Sequence, residues 1–359
     1  MKQRHTILRH AQRGFTLLEM LVAIAIAGFV VAGLYGLFTI QSRQFLFQDI
    51  QMEMHQNLRF GTDVLTRSIR MAGFNTNGRI NGIMGSDGTS GITADDSPLY
   101  AIIPWDNDGS SGTDAITVVY ADPSTIMDTN YSVLESCTTT SISFQPNRGT
   151  NQLKLQQFNE NDLLLCHDFA AIGNTETYLW SINSVDASTG VLSVPDMSSA
   201  FSDYSTICPS TENLTPVMRC GKGQVLTFYV DDVDDGTGPG TEDHPVLMMD
   251  MNFNWPNDDD VPLVDNVEDL QFEYCLESPG GVLDCNNAVQ WKNDFTVGRT
   301  ADVWAVRIHM VVRSSRPDPS NLYTNSRPGT ANHSASTSTD AYYRQVMTTE
   351  VTVRNLRVL

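Results

Sequence analysis

Positive charge is scarce in this sequence. Its 359 residues hold 22 Lys and Arg against 42 Asp and Glu, a formal net charge of −20. Between Lys222 and Lys292 there is neither a lysine nor an arginine. So acidic a chain offers no basic face to a phosphate backbone, which argues against nucleic acid. It argues equally against a broad electrostatic dock on anionic lipid. Catalytic signatures are missing too: there is no G-x-S-x-G elbow, no H-E-x-x-H pair and no glycine-rich phosphate loop. No catalytic residue is therefore assigned. Cys-x-x-Cys spacing is absent, which argues against structural zinc. No proline occurs before Pro98, so nothing of that kind interrupts a helix running in from the N-terminus. What remains, 41% hydrophobic and 18% charged residues, describes a folded protein of one large domain or two ordinary ones.

The N-terminus is the exception to the acidity. Lys2, Arg4, Arg9 and Arg13 have no acidic neighbour, and from Met20 to Ile40 no residue is charged. That apolar run is long enough to cross a hydrocarbon core of ~30 Å as a helix. The basic flank places the N-terminus on the cytoplasmic side. An ordinary cleaved signal has a shorter apolar region followed by its cleavage site. Here the break at Gly14 precedes the run, so cleavage leaves the run on the mature chain. Glu19 then stands four residues from Phe15. A carboxylate in an apolar helix costs roughly 2.5–3.5 kcal/mol on insertion scales and is normally functional. A free amine on Phe15 can neutralise it, within one chain or between neighbours.

Arg13-Gly14-Phe15-Thr16-Leu17-Leu18-Glu19-Met20-Leu21-Val22-Ala23 resembles the prepilin motif of type IV pilins and type II secretion pseudopilins. The resemblance implies that a prepilin peptidase cuts between Gly14 and Phe15 and methylates the Phe15 amine. It also implies that Glu19 guides docking in the filament.

Past the membrane segment, apolar residues from Phe45 to Met71 recur near helical spacing with charges between them. Gly73 and the Gly/Asn-rich stretch 75–85 stop the pattern. A helix over 15–72 is roughly 87 Å long. Gly28, Gly33 and Gly36 weaken its membrane half or permit close packing.

Beyond 73 the pattern becomes strands and turns. Residues 75–113 read as a long connecting loop. Ala115–Tyr120 is β-branched and short, and Val225–Val230 and Val246–Phe253 read as strands joined by an acidic loop. In the last, Leu247, Met249, Met251 and Phe253 alternate with Met248, Asp250 and Asn252, a half-buried pattern. Trp304, Val306, Ile308, Met310 and Val312 alternate cleanly with Arg307, His309 and Arg313. Ser314–Asp340 reads as a mobile loop, and Gln345–Val353 as a final strand. The fold class is α+β: a long N-terminal helix laid on an antiparallel sheet. The domains are a leader over 1–14, the helix over 15–72 (15–40 in the membrane) and a β-rich head over 73–359.

The head carries a narrower resemblance. Val264-Asp265-Asn266-Val267-Glu268-Asp269-Leu270-Gln271-Phe272-Glu273-Tyr274 is similar to a segment of PilW-type minor pilins. So are Gly112–Ile116, Val303–Arg313 and the ending from Tyr343 to Leu356. These proteins are similar to the J-type minor pseudopilin of type II secretion. The resemblance implies a type IV pilin-like fold and a structural role in the complex that primes pilus assembly and stays near the tip. Implied partners are the other minor pilins, the major pilin, the prepilin peptidase, the inner-membrane assembly platform and a PilY-type tip adhesin. The implied location is the bacterial inner membrane with the head in the periplasm, then the pilus tip. The alternatives are a secretion pseudopilin and a calcium-dependent tip adhesion module.

Six cysteines allow 15 pairings, and an extracytoplasmic head permits disulfides. Cys275 and Cys285 flank Ser278-Pro279-Gly280-Gly281, a hairpin turn, so they rank first. Cys208–Cys220 closes a short loop, which leaves Cys137–Cys166. Cys166 beside His167 reads as a paired structural cysteine, not a nucleophile, and His309 as a surface residue. The acidic loop raises calcium: Asp231, Asp235, Gly236 and Glu242 fall at positions 1, 5, 6 and 12 of an EF-hand loop. Val233 breaks position 3, and no helix pattern flanks the loop. No other cofactor is expected. Asp106–Gly109 and Asp258–Asp260 are weaker candidates of the same kind.

Overall fold

The proline-free stretch from Leu17 to Met71 forms one uninterrupted helix. A computed structural model of the chain describes residues 16–76, 78–80, 82–84, 99–127, 134–147, 149–168, 177–195, 218–233, 244–251, 256, 260–277, 283–318 and 323–356. Helix α1 (Leu17–Met71) spans 55 residues. It ends at Gly73, whose φ of +78° is the left-handed conformation that closes helices. A Cβ there would lie 2.4 Å from the Leu356 side chain. Asn355 Nδ2 donates to the Arg70 carbonyl at 3.0 Å, satisfying one of the orphan acceptors of the last turn.

The chain divides into two compact units, residues 1–53 and 54–359. The division falls inside the helix. The reason is burial: Met54, Leu58, Gly61, Thr62, Leu65, Ser68 and Ile69 are buried, so the last part of α1 is a core element of the head. Gly61 permits close approach, since a Cβ would meet Met310 Cε at 3.0 Å.

The head begins with β1 (Arg79–Ile80), β2 (Gly82–Met84), β3 (Leu99–Tyr100), β4 (Ile102–Trp105) and β5 (Ala115–Ala121). Next come β6 (Leu134–Thr138), β7 (Ser141–Phe144), the short helix α2 (Asn151–Leu155), β8 (Leu163–Asp168) and β9 (Thr177–Ser181). Then follow β10 (Ser184–Asp186), β11 (Val191–Ser193), β12 (Met218–Val233), β13 (His244–Asp250), β14 (Val261–Asp265) and β15 (Val267–Leu276). The last are β16 (Trp291–Lys292), β17 (Val303–Arg313) and β18 (Arg344–Thr352).

Among the described residues these strands form four sheets. One pairs β1 with β3. A second has the order β10-β11-β7-β6. The largest runs β14-β13-β12-β8-β9-β2, with β5 on β12 and β4 on β5. The last has the order β16-β15-β17-β18. Pairing is antiparallel except between β2 and β9. Strand β12 organises the large sheet: β8, β5 and β13 pair with its successive thirds. The aromatic residues Phe144, Tyr178 and Trp180 pack with Phe158, Leu164 and Cys166 in one apolar cluster. A second cluster joins Ile80, Val119, Leu165, Leu179 and Val225.

Some expectations fail here for non-local reasons. The stretch read as a 75–113 loop carries β1 to β4, because Ile80 and Ala101–Ile103 are buried among distant strands. The half-buried pattern expected over 246–253 is absent. Val246, Leu247 and Met248 are all buried while Met251 is 54% exposed, so side chains on both faces of β13 are covered over 246–248. Residues 252–255 lie outside the described residues. Strand β17 alternates as its sequence demands, with Val306, Ile308 and Met310 buried and Arg307, His309 and Arg313 more open.

Candidate functional site

Among the described residues, the apolar half of α1 is exposed. From Leu17 to Ile40 its large hydrophobic residues are exposed all round the helix, Phe29 at 83% and Leu17 at 79%. A helix apolar on every side needs lipid or other chains around it. Positions that a Cβ would open onto at Gly28, Gly33 and Gly36 meet no atom within 4 Å, so these three sites are open to a neighbour.

Thr16 and Glu19 build the start of this helix. The Thr16 backbone N–H and hydroxyl each donate to Glu19 Oε2 at 3.0 Å. The Glu19 N–H donates to Thr16 Oγ1 at 3.3 Å. This is a reciprocal capping box, Thr-x-x-Glu, which satisfies two orphan donors. Glu19 is thus bound locally and exposed at the same time. Gly14 and Phe15 lie outside the described residues.

In the head, Asp114 joins two sheets. Its Oδ2 accepts from the Phe272 N–H at 2.9 Å and its Oδ1 from the Asn107 N–H at 3.0 Å. Its own N–H donates to the Leu270 carbonyl at 2.8 Å. Burial pushes its carboxyl up to about 7, against the pull of those two backbone bonds. Nearby, Asp269 is fully buried and accepts from Arg327 at 2.9 Å, His333 Nδ1 at 2.9 Å, Gln271 at 3.2 Å and the Thr330 hydroxyl. Arg327 also donates to His333 Nε2 at 2.8 Å, which sets the ring's tautomer with the proton on Nδ1. The 323–340 segment, expected to be mobile, is held down by this cluster and by an Asn325–Asp340 bridge. Arg344 adds a bidentate pair to Glu268, at 2.6 and 2.8 Å. None of this cluster was found from the sequence. Asp269 and Arg327 are 58 positions apart, and the only local signal was Asp269 on the face opposite Leu270.

On the same polar face, Glu273 accepts from Arg307 and His309, each at 2.9 Å. Burial raises its carboxyl, but these two bonds outweigh burial and hold it low. Arg307 stacks 3.9 Å over Trp291. His309 is accordingly a hydrogen-bond partner on the sheet face.

Two disulfides are described. Cys275–Cys285 forms as expected, across a sequence separation of 10. Cys166 pairs with Cys220, which corrects both the Cys208–Cys220 and the Cys137–Cys166 assignments. The two residues face each other in the β8–β12 register, with Cα atoms 4.1 Å apart, a proximity that loop length could not reveal. The Cys137 side chain and Cys208 lie outside the described residues. His167, next to Cys166, is buried with Nδ1 2.8 Å from the Thr177 hydroxyl.

The calcium candidates are only partly described. Asp231 sits in the β12–β13 pairing, opposite Val246, and its carboxylate accepts from the Asp232 N–H at 2.9 Å. Asp235, Gly236 and Glu242 lie outside the described residues, as do Asp258 and Asp259. Among the described residues no group of three or more His, Cys, Asp or Glu is placed to hold a metal ion. Asp106 instead accepts from Asn332 at 2.7 Å.

Comparison with known families gives two matches. Residues 227–355 match the family described as type IV pilus-assembly protein W. They run from within β12 to just past β18. Residues 9–35 match the prokaryotic N-terminal methylation motif, which spans Gly14, Phe15 and Glu19. The first describes a pilus-assembly component and lies in the head; the second covers the start of the apolar helix. No curated protein and no solved structure matches the chain.

Proposed function

We propose that this chain is a PilW-type minor pilin of the type IV pilus that helps form the complex that primes pilus assembly and stays near the tip. The single observation that carries the reading is the helix segment 17–40, apolar and exposed on every side and headed by the Thr16–Glu19 box. Such a segment is stable in the inner membrane before assembly and among other pilin helices after it. Cleavage between Gly14 and Phe15 and methylation of Phe15 precede assembly. Glu19 supplies a negative charge to the Phe15 amine of a neighbour, exchanging its local bonds to Thr16 for an intersubunit one. The head, in the periplasm, contacts other minor pilins and acts as a structural part, without catalysis.

The test is deletion of the gene with complementation, measuring sheared surface pili and secreted proteins side by side. Lost pili with an unchanged secretome support priming. Intact pili with a lost secretome would move the protein to a secretion pseudopilus. Mass spectrometry of the mature N-terminus checks the processing step: a methylated Phe15 is expected.

A further inference from the structure

Strand β18 is the outer strand of its sheet. It pairs with β17 over nine residues, from Arg313↔Arg344 to Ala305↔Thr352, and no strand pairs its other edge among the described residues. The hydrogen-bonding phase follows from its two ends. The Ser314 N–H donates to the Tyr343 carbonyl at 2.8 Å, and the Val353 N–H to the Trp304 carbonyl at 2.9 Å. Antiparallel pairs alternate, so odd-numbered residues 345–351 bond to β17. The N–H and C=O groups of Val346, Thr348 and Glu350 point away from it. Natural sheets usually blunt or cover such an edge.

A groove of about 680 Å³ lies between this strand and the buried end of α1, lined by Met347 and Thr349 on one side and by Arg59, Phe60, Asp63 and Arg70 on the other. Phe60 is 54% exposed. From Met54 to Met71 the helix carries three arginines and one aspartate, a basic island on a chain of net charge −20. A helix laid in the groove would leave the outward amides of β18 unmatched. An extended segment matches them, rests apolar side chains on Phe60 and Met347, and meets the guanidinium groups with acids.

We propose that β18 is completed by a strand donated by a neighbouring pilin-type subunit, an extended segment bearing acidic side chains, seated between β18 and α1. This rests on the reading of the chain as a pilus subunit.

The experiment places a photo-crosslinking amino acid at Val346 in the full chain, expressed in its own cells, and separately at Leu34 in the apolar helix as a reference. Mass spectrometry identifies the partner peptide. The expected Val346 adduct is to an acidic segment of a different protein that carries its own prepilin motif. Thr348→Pro removes one outward N–H and leaves the β17 ladder intact, and should cut the adduct at least tenfold. Thr348→Ala keeps the amide and should leave the adduct unchanged. Arg59→Glu with Arg70→Glu, which does not touch the strand, should reduce it severalfold. Leu34 adducts to pilins with no Val346 adduct would overturn the strand proposal and leave the pilus reading standing. So would a Val346 adduct that Thr348→Pro and the arginine changes leave undiminished, or one to a second copy of this chain. Adducts to pilins at neither position would remove the pilus reading, and this proposal with it.

Discussion

Residues 17–53 and the head solve the same problem, where to put apolar surface, in opposite ways. In the first segment the hydrophobic side chains stay outside: Leu34 is 59% exposed. In the head they go inside, and Leu65, on the same helix, is fully buried. The helix itself is continuous from Leu17 to Met71. The contrast teaches that helix formation and burial are separate events here. The first half leaves its apolar side chains exposed, whereas the second half packs against Met310 of β17 and Val264 of β14.

The sharpest break of this comparison is at Glu19. Glu19→Val removes both the charge and the two bonds that Thr16 donates to the carboxylate, and surface pili should fall more than tenfold by shear assay. Glu19→Gln retains the capping box, since glutamine also serves at that position, yet removes the charge. If docking charge matters, it should assemble as poorly as Glu19→Val. Wild-type pili from Glu19→Gln would reduce Glu19 to a helix cap.

A paired truncation compares the two halves directly. Leu65→Ala should destabilise the head by ~2–5 kcal/mol through the cavity it leaves, read as a lower melting temperature of the detergent-solubilised chain. Leu34→Ala should leave that temperature unchanged, because Leu34 touches no core. Equal effects would mean that the two halves are one cooperative unit.

Within the head, the two disulfides should differ by loop length. Replacing Cys166 and Cys220 with Ser opens a separation of 54 residues, worth ~4 kcal/mol in the chain-entropy account, against ~3 kcal/mol for the separation of 10 at Cys275 and Cys285. Denaturant melts of the two double variants measure the order. Neither should alter the far-ultraviolet helix signal of residues 17–53.

The smallest effect is a pH slope. Asp114 titrates near 7 in the folded head and at an ordinary carboxyl value of 3.8 when unfolded. Between those values the folded state binds the extra proton, so this group makes stability fall as pH rises from ~4 to ~7 and adds no further change above. Asp114→Asn should flatten the slope between pH 5 and 8 by about 1–3 kcal/mol, as read from denaturant midpoints at each pH. An unchanged slope would assign the proton elsewhere.

The N-terminal segment was legible in the sequence because everything that defines it is local. Gly14, Phe15 and Glu19 stand within six positions, the apolar run is unbroken, and Gly73 supplies the backbone freedom that ends the helix. The β17 alternation was legible for the same reason, since a period of two needs no knowledge of neighbours. The Cys275–Cys285 pair, only 10 positions apart, was legible too. Tertiary structure alone decided the rest. Cys166 met Cys220 because β8 and β12 are neighbours in register, not because of any loop length. Asp269 gathered Arg327, Thr330 and His333 from a segment about sixty positions away. Within 75–113, β2 and β4 formed because β9 and β5, elsewhere in the head, supplied their hydrogen bonds. Pairing across a sheet is non-local, so its partners are chosen by packing and register, which a single strand's residues do not encode.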